Sequence, residues 1–333
     1  MASPGNRKPR AAIKKVLVIK LGELADIVLA FPAFERIRAA HRKAKITLLT
    51  TVPYASLAKS SPYFDSVDPD GRPTSPAGWL SLVIRLRRAG YDRIYDLQND
   101  RTTKLIFQSM RPFAPAWSGE AIGCSLPHRS RNRARMHPLE RQAGQLKAAG
   151  IWPDAPTEPL SAAPPNISWA LSRGVHSRVG DMAAGQRPLA ILAPGPIGRA
   201  AERRWPIENY AELARRLQDR GFEIVIVGGL ADSELAHVIQ RRSARARDLT
   251  GRTDLVQIAL LGARASIAIG NDMGALQLAA AAAAPTIALF RGADQLGLEA
   301  PRGHVTVLHA PALKDLSVDA VCRAAVSLAS GAA

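Results

Sequence analysis

The sequence is poor in cysteine, in aromatic side chains and in long apolar runs. Its two cysteines, Cys124 and Cys322, are too few and too far apart for a disulfide framework or a thiolate metal site, which fits a reducing cytoplasm. No apolar run reaches the roughly 20 residues of a helical membrane span, so a spanning helix is excluded. Residues 1–14 are basic and carry Pro and Gly, but they lack an apolar segment followed by a small-residue cleavage site. They read as a flexible basic leader and not as a secretory signal. No G-x-G-x-x-G follows the first apolar run and no G-x-x-x-x-G-K-[ST] occurs, so dinucleotide and P-loop readings lose support. The seven histidines show no metal-ligand spacing, and the closest pair, His304 and His309, flanks an expected strand.

Acidic residues are scarce in the first half alone. Residues 1–150 hold 26 Lys and Arg against 11 Asp and Glu, whereas residues 151–333 hold 19 against 17. Nearly all of the net charge of +17 therefore belongs to the first half, and a field that lopsided calls for an acidic partner there. Nucleic acid ranks low as that partner. Aromatics make up 5% of the chain, none is interleaved with the basic segment, and no nucleic-acid module is recognisable.

What is present is a repeated alternation. A length of 333 residues with 47% hydrophobic content favours two domains, each able to bury a core. In the first half, apolar β-branched runs at 15–20 and 46–50 flank a stretch at 26–38 with helical spacing. A helix over 79–89 stopped by Gly90, a strand at 94–97 and a helix over 102–110 follow. Five prolines between 151 and 165 mark the domain boundary. Beyond it a helical stretch at 168–182 leads into strands at 189–193, 223–227, 266–269 and 286–290. These alternate with helices at 206–220, 232–242, 255–264, 274–283 and 318–329, with Pro206 expected in a first turn and Gly221 as a stop. The fold expected is α/β: two Rossmann-like, doubly wound parallel sheets, one over 15–165 and one over 166–333, with ligands at the carboxyl ends of the strands.

The loops after those strands carry the chemistry-bearing residues. Leu21-Gly22-Glu23-Leu24-Ala25-Asp26 follows the first strand and puts Asp26 at a helix start, as a cap or as a group facing a cleft. Pro194-Gly195-Pro196 follows the strand at 189–193, and Arg203 and Arg204 precede a helix whose free backbone donors can share an anion with them. Gly228 and Gly229 permit close backbone approach, and Asp272-Met273-Gly274 opens an alanine-rich helix whose positive end suits a diphosphate.

The segments VLVIKLGELADIVLAFPAFER (16–36), YDRIYDLQ (91–98), RRWPIENYAEL (203–213), LTGRTDL (249–255) and IGNDMGALQLAA (269–280) stand in the order found in glycosyltransferase family 9. The chain resembles the ADP-heptose:lipopolysaccharide heptosyltransferases of that family over nearly its whole length. The resemblance implies a GT-B architecture, an acceptor-binding first domain, a nucleotide-sugar-binding second domain, and inverting, metal-independent transfer with no cofactor. It assigns Asp26 as general base and Lys20 to the donor phosphates. Arg203 matches a phosphate-binding lysine of the family, and Asp272, Met273 and Gly274 match its diphosphate segment. Pro194, Gly195 and Gly229 complete the expected donor site. The chain departs from the family pattern at Ala25, Met273, Ala275 and Gln277.

Metal-dependent glycosyltransferases often show Asp-x-Asp, but Asp68-Pro69-Asp70 is followed by Gly71 and reads as a turn. On the acceptor side, Arg101, Arg129, Arg131 and Arg133, with Lys104, Arg135, His137 and Arg141 nearby, are expected to meet the phosphates and carboxylates of an anionic glycan or glycolipid. The same charge could rest on the anionic inner face of the membrane, so the expected location is cytoplasmic with peripheral membrane contact. The competing readings are a divergent family member using another nucleotide sugar and a noncatalytic sugar-nucleotide-binding homologue.

Overall fold

The computed structural model describes residues 12–331 apart from 131, 157, 159–161, 173–178, 180–185, 196–203, 272 and 293–299. Its first sheet comprises β1 (Lys15–Ile19), β2 (Lys45–Leu49), β3 (Ser66–Asp68), β4 (Arg93–Asp96), β5 (Ala116–Gly119) and β6 (Leu126–Pro127), in spatial order β3-β2-β1-β4-β5-β6. The second comprises β7 (Leu189–Ala193), β8 (Glu223–Ile226), β9 (Arg247–Asp248), β10 (Ile267–Gly270), β11 (Thr286–Arg291) and β12 (Val305–Ala310), in order β12-β11-β10-β7-β8-β9. Every strand pair in both sheets is parallel. Each sheet thus has the doubly wound 3-2-1-4-5-6 order, which reverses beside its first strand and opens a crevice there.

Burial explains why these runs are strands. In β1, Val16 and Val18 face one apolar cluster while Leu17 and Ile19 face another, and all four are fully buried. β7 does the same, with Ala190 and Leu192 on one side and Leu189, Ile191 and Ala193 on the other. A strand covered on both faces needs apolar residues throughout, as both sequences supply.

The helices are α1 (Leu24–Val28), α2 (Phe31–Ala40), α3 (Ala55–Ser60), α4 (Pro76–Ala89), α5 (Arg101–Met110), α6 (Pro138–Ala148), α7 (Ser168–Leu171), α8 (Ile207–Asp219), α9 (Ser233–Arg242), α10 (Leu255–Arg264), α11 (Met273–Ala281) and α12 (Val318–Ala329). Among the described residues no helix is long and apolar enough to cross a membrane.

Four expectations need correction. The single helix read over 26–38 is two, because Pro32 cannot continue α1 past the carbonyl of Val28 and instead sits in the first turn of α2. Glu23, and not Asp26, is the N-cap of α1, which places Asp26 at its third residue. Pro206 is likewise the N-cap of α8 and not part of its first turn. Of the helical stretch read over 168–182, α7 ends at Leu171, and much of the remainder lies outside the described residues.

The two sheets meet through helices. Val28 and Ala30 share one buried cluster with Leu278, Ala281 and Ala282, so α1 of the first lobe packs on α11 of the second. Arg302 reaches Glu140 at 3.4 Å, and a ring nitrogen of His137 lies 3.2 Å from the Ala300 carbonyl, joining the lobes at a second place.

Candidate active site

Lys20 directly follows β1, and its backbone N–H still donates to the Leu49 carbonyl at 3.0 Å. The side chain is buried, with Nζ 3.4 Å from Asp26 Oδ1. Burial pulls the Lys20 pKa below its ordinary value, and the Asp26 carboxylate opposes that shift. Asp26 itself is reachable, its side chain 38% exposed, and its Oδ2 accepts the Glu23 backbone N–H at 3.3 Å. The carboxylate therefore sits over free amides at a helix start, where the positive end of the backbone dipoles favours negative charge. Gly22 makes this seat possible, since a Cβ there would lie 2.4 Å from Asp26 Oδ2.

The Leu21–Gly22 turn is held by residues that the sequence reading gave no role. Gln98 Oε1 accepts the Leu21 N–H at 3.0 Å, and Arg72 Nε donates to the Leu21 carbonyl at 3.1 Å. Arg72 is fixed in turn by Asp100 at 2.6 Å, and Asp100 caps α5 by accepting the Thr103 N–H at 3.0 Å. Below them Asp96 is fully buried, its Oδ1 accepting the Gln98 and Asn99 N–H groups at 3.1 and 2.8 Å. Desolvation pushes its carboxyl up to about 6. Gln145 of α6 closes the network by donating to the Asp96 carbonyl at 2.8 Å.

In the second lobe, the expected donor residues sit at the carboxyl ends of neighbouring strands. Buried Pro194 and Gly195 follow β7, with Gly195 at a φ of 91° that favours glycine. Gly229 follows β8 and donates its N–H to Asp232 Oδ2 at 2.8 Å. Met273 and Gly274 open α11 after β10. Asn271, unremarked in the sequence reading, is the clamp of this edge. Its Oδ1 accepts the Trp205 N–H at 2.9 Å and the Tyr210 hydroxyl at 2.8 Å, and its N–H donates to the Ala193 carbonyl at 3.0 Å. Gly270 allows that approach, because a Cβ there would fall 2.0 Å from the Ala193 oxygen. Arg203 and Asp272 lie outside the described residues, as does Arg131.

The structure thus brings Lys20 and Asp26 together at the carboxyl edge of the first sheet, Lys20 at the end of β1 and Asp26 on α1, which packs on α11. The arginines divide. Arg101 and Arg129 are exposed at the same edge, after β4 and β6. Arg133 is tied instead to Glu120 and lies 2.7 Å from a His128 ring nitrogen, and burial lowers its pKa to about 10. Asp68 of the Asp-x-Asp holds Arg85 at 2.8 and 3.0 Å. Among the described residues no cluster of three or more His, Cys, Asp or Glu side chains could hold a metal ion.

The family model described as glycosyltransferase family 9 (heptosyltransferase) matches residues 79–317, well over half of the chain. The chain belongs to glycosyltransferase family 9. Among relatives of this family-9 glycosyltransferase, lipopolysaccharide heptosyltransferase 2 of Escherichia coli is 28% identical over 83% of the chain and 82% of its own length. Among solved structures, E. coli ADP-heptose lps heptosyltransferase II superposes with a TM-score of 0.77 at 23% identity, covering 95% of this chain and 99% of that one. An E. coli heptosyltransferase solved with ADP superposes with a TM-score of 0.73 at 18% identity, covering 94% and 99%. The expected GT-B fold is therefore the one found, two doubly wound domains of a glycosyltransferase.

Proposed function

We propose that this glycosyltransferase moves a heptose from ADP-heptose onto an anionic, lipopolysaccharide-type acceptor, with inversion at the anomeric carbon and without a metal ion. The relatives named as lipopolysaccharide heptosyltransferases and the solved heptosyltransferase with ADP support this donor and acceptor. The observation that carries the reading is the reachable Asp26 carboxylate of α1 beside buried Lys20, with α1 packed on α11 of the other lobe.

In this reading residues 15–165 bind the acceptor and residues 166–333 the donor. The acceptor hydroxyl gives its proton to Asp26 as its oxygen bonds to the anomeric carbon, and the bond from that carbon to the diphosphate breaks, releasing ADP. A carboxylate is a weak base, so alignment and stabilisation of the leaving charge supply much of the rate. Lys20, Arg203, the 272–274 segment and the backbone beside Pro194, Gly195 and Gly229 serve that purpose. Arg101 and Arg129 meet the acceptor's anionic groups, with Arg131 assigned to the same side, while Arg133 is held by Glu120 and supports that loop. A lipid-linked acceptor sets this work at the inner membrane face.

The test is Asp26→Asn, assayed by ADP release from ADP-heptose with a lipopolysaccharide-core acceptor. Transfer falls by about 100- to 10,000-fold while ADP still raises the melting temperature. Undiminished transfer sinks the base assignment. A wild-type protein that binds ADP-heptose and never transfers it establishes the noncatalytic reading.

A further inference from the structure

Beside the apolar cluster in which α1 meets α11, the seam between the lobes encloses a cavity of about 860 Å³. Its walls come from α2, the first turns of α6, the proline-rich connector and the last turn of α11, represented by Ala33, Leu139, Pro164 and Ala280. The volume lies within the range of small-molecule sites, and the lining is mostly alanine and proline. The cavity sits at the opposite end of α11 from Gly274, so it is separate from the edge assigned to the donor.

Gln142 breaks this apolar pattern. It lines the cavity and is 2% exposed, and among the described residues neither its Oε1 nor its Nε2 has a hydrogen-bond partner. A buried amide with both ends unpaired costs free energy, which a neighbour carrying one donor and one acceptor recovers. The alanine and proline side chains around it supply neither. The wall also offers little to a charged occupant. Among the described residues it holds one carboxylate, Glu35, and one guanidinium, Arg36. Arg36 is already engaged, donating to the Ile151 carbonyl at 3.0 Å, pairing with Asp154 at 3.1 Å and lying 5.7 Å over the Trp152 ring. The occupant that fits is neutral, with an apolar body against Trp152 and the alanines and one amide group for Gln142.

We infer that this cavity is a second ligand site, taking a neutral, largely apolar ring compound whose carboxamide pairs with that of Gln142, and that its occupant ties the two lobes together. Domains of one chain that face each other across a cleft move relative to one another by default. An occupant that touches α2, α6 and α11 at once restrains that movement. The restraint falls on the helix whose other end carries Met273 and Gly274. The consequence for turnover rests on the proposed function, whereas the binding itself does not.

The experiment titrates the full chain with adamantanecarboxamide, read by calorimetry and by melting temperature. Adamantyl methyl ketone, which keeps the acceptor and loses the donor, and the charged adamantanecarboxylate are run beside it. The wild type binds the amide at about 1 mM, the affinity usual for a compound of this size. It binds the ketone about tenfold more weakly, one hydrogen bond's worth, and the carboxylate more weakly still. Gln142→Leu removes the unpaired amide, melts no lower than the wild type and loses the preference for amide over ketone. Ala39→Phe adds bulk at an exposed position of the wall and excludes both neutral compounds. ADP and the amide bind the wild type together, and Asp26→Asn binds the amide normally, which keeps a failure of this site distinct from a failure of the transfer chemistry. During transfer the amide lowers kcat and leaves KM for ADP-heptose unchanged. Absence of amide binding by the wild type overturns the inference, as does a tenfold preference retained in Gln142→Leu or binding retained in Ala39→Phe. Displacement of the amide by ADP overturns it in favour of the donor site, and an unchanged kcat at saturating amide overturns the tie between the lobes.

Discussion

Replacing Gly22 with alanine tests whether the position of Asp26, and not merely its presence, sets the rate. The added Cβ would lie 2.4 Å from Asp26 Oδ2, 2.6 Å from its Cβ and 2.7 Å from its Cγ, where ordinary contact begins at 3.4 Å. Relief requires the carboxylate or the turn to move by about 1 Å. The turn is pinned at the Leu21 peptide by Gln98 and Arg72, so much of the movement falls on Asp26. Overpacking of this kind costs about 1–3 kcal/mol of stability. A misplacement near 1 Å costs on the order of 100-fold in turnover. The assay is steady-state ADP release together with a melting curve, and Gly221→Ala is the control. Gly221 has a φ of 88° and no atom near its Cβ position, so alanine there brings backbone strain of roughly 1–2 kcal/mol and leaves the site untouched. The expected result is similar loss of melting temperature in both variants, with kcat lost only in Gly22→Ala. A folded Gly22→Ala enzyme with full kcat would refute the argument.

Other outcomes follow from the same geometry. Asp96 is raised from 3.8 to about 6, so the folded state binds its proton more tightly than the unfolded chain, and ionisation above pH 6 costs roughly 3 kcal/mol. Asp96→Asn keeps an acceptor for Gln98 and Asn99. It should therefore melt higher than the wild type at pH 8 and the same at pH 3.5, and an equal difference at both would exclude ionisation as the cause. His41 and His137 are held by burial at about 4, below their usual 6.5, so the unfolded chain takes up protons first and stability drains away as pH falls from 6.5 to 4. A melting temperature in His41→Gln that falls as steeply as the wild type over that range would remove His41 from this account. Gly270→Ala drives a Cβ to 2.0 Å from a backbone oxygen of β7, which cannot turn aside. The thermal shift produced by ADP should be lost in that variant, and its retention would show that the 270–274 edge does not form the donor site.

Elements bounded by strong local signals were legible in the sequence. α4 ends at Gly90, φ 63°, as read, though it begins three residues earlier than read, at the Ser75 cap; α10 starts from a capping box at Asp254, and α12 starts from the Ser317 cap. α6 was not legible because its buried face is polar. It buries Glu140, Gln142 and Gln145 beside Leu139 and Leu146, so an apolar-periodicity reading passes over it. β3, β6 and β9 span two or three residues, too short for alternation to register. Strand-end logic pointed to Asp26, which lies within seven residues of β1, and the family resemblance pointed to Lys20. It could not find Gln98 or Arg72, whose contacts with Leu21 cross 77 and 51 residues of chain.

The same short turn is used once in each lobe, and only its surroundings separate chemistry from scaffolding. Gly22-Glu23-Leu24-Ala25-Asp26 follows β1, and Gly228-Gly229-Leu230-Ala231-Asp232 follows β8. In both, the Asp accepts the backbone N–H three residues earlier, at 3.3 and 2.8 Å, and the leading Gly leaves room for it, since a Cβ would come within 2.4 and 2.7 Å of its Oδ2. Local sequence alone therefore makes the two aspartates equivalent. Asp232 is 7% exposed and its Oδ1 has no partner, so it is committed to shaping its own turn. Asp26 is 38% exposed and has a lysine ammonium 3.4 Å away. Substrate can reach the Asp26 carboxylate, whereas that of Asp232 is closed off within its own turn. Asp232→Asn should accordingly cost stability with little loss of kcat, because the amide oxygen can still accept from Gly229. Asp26→Asn should reverse that pattern, and a matched loss of kcat in both would mean that the turn, and not the exposed carboxylate, governs turnover.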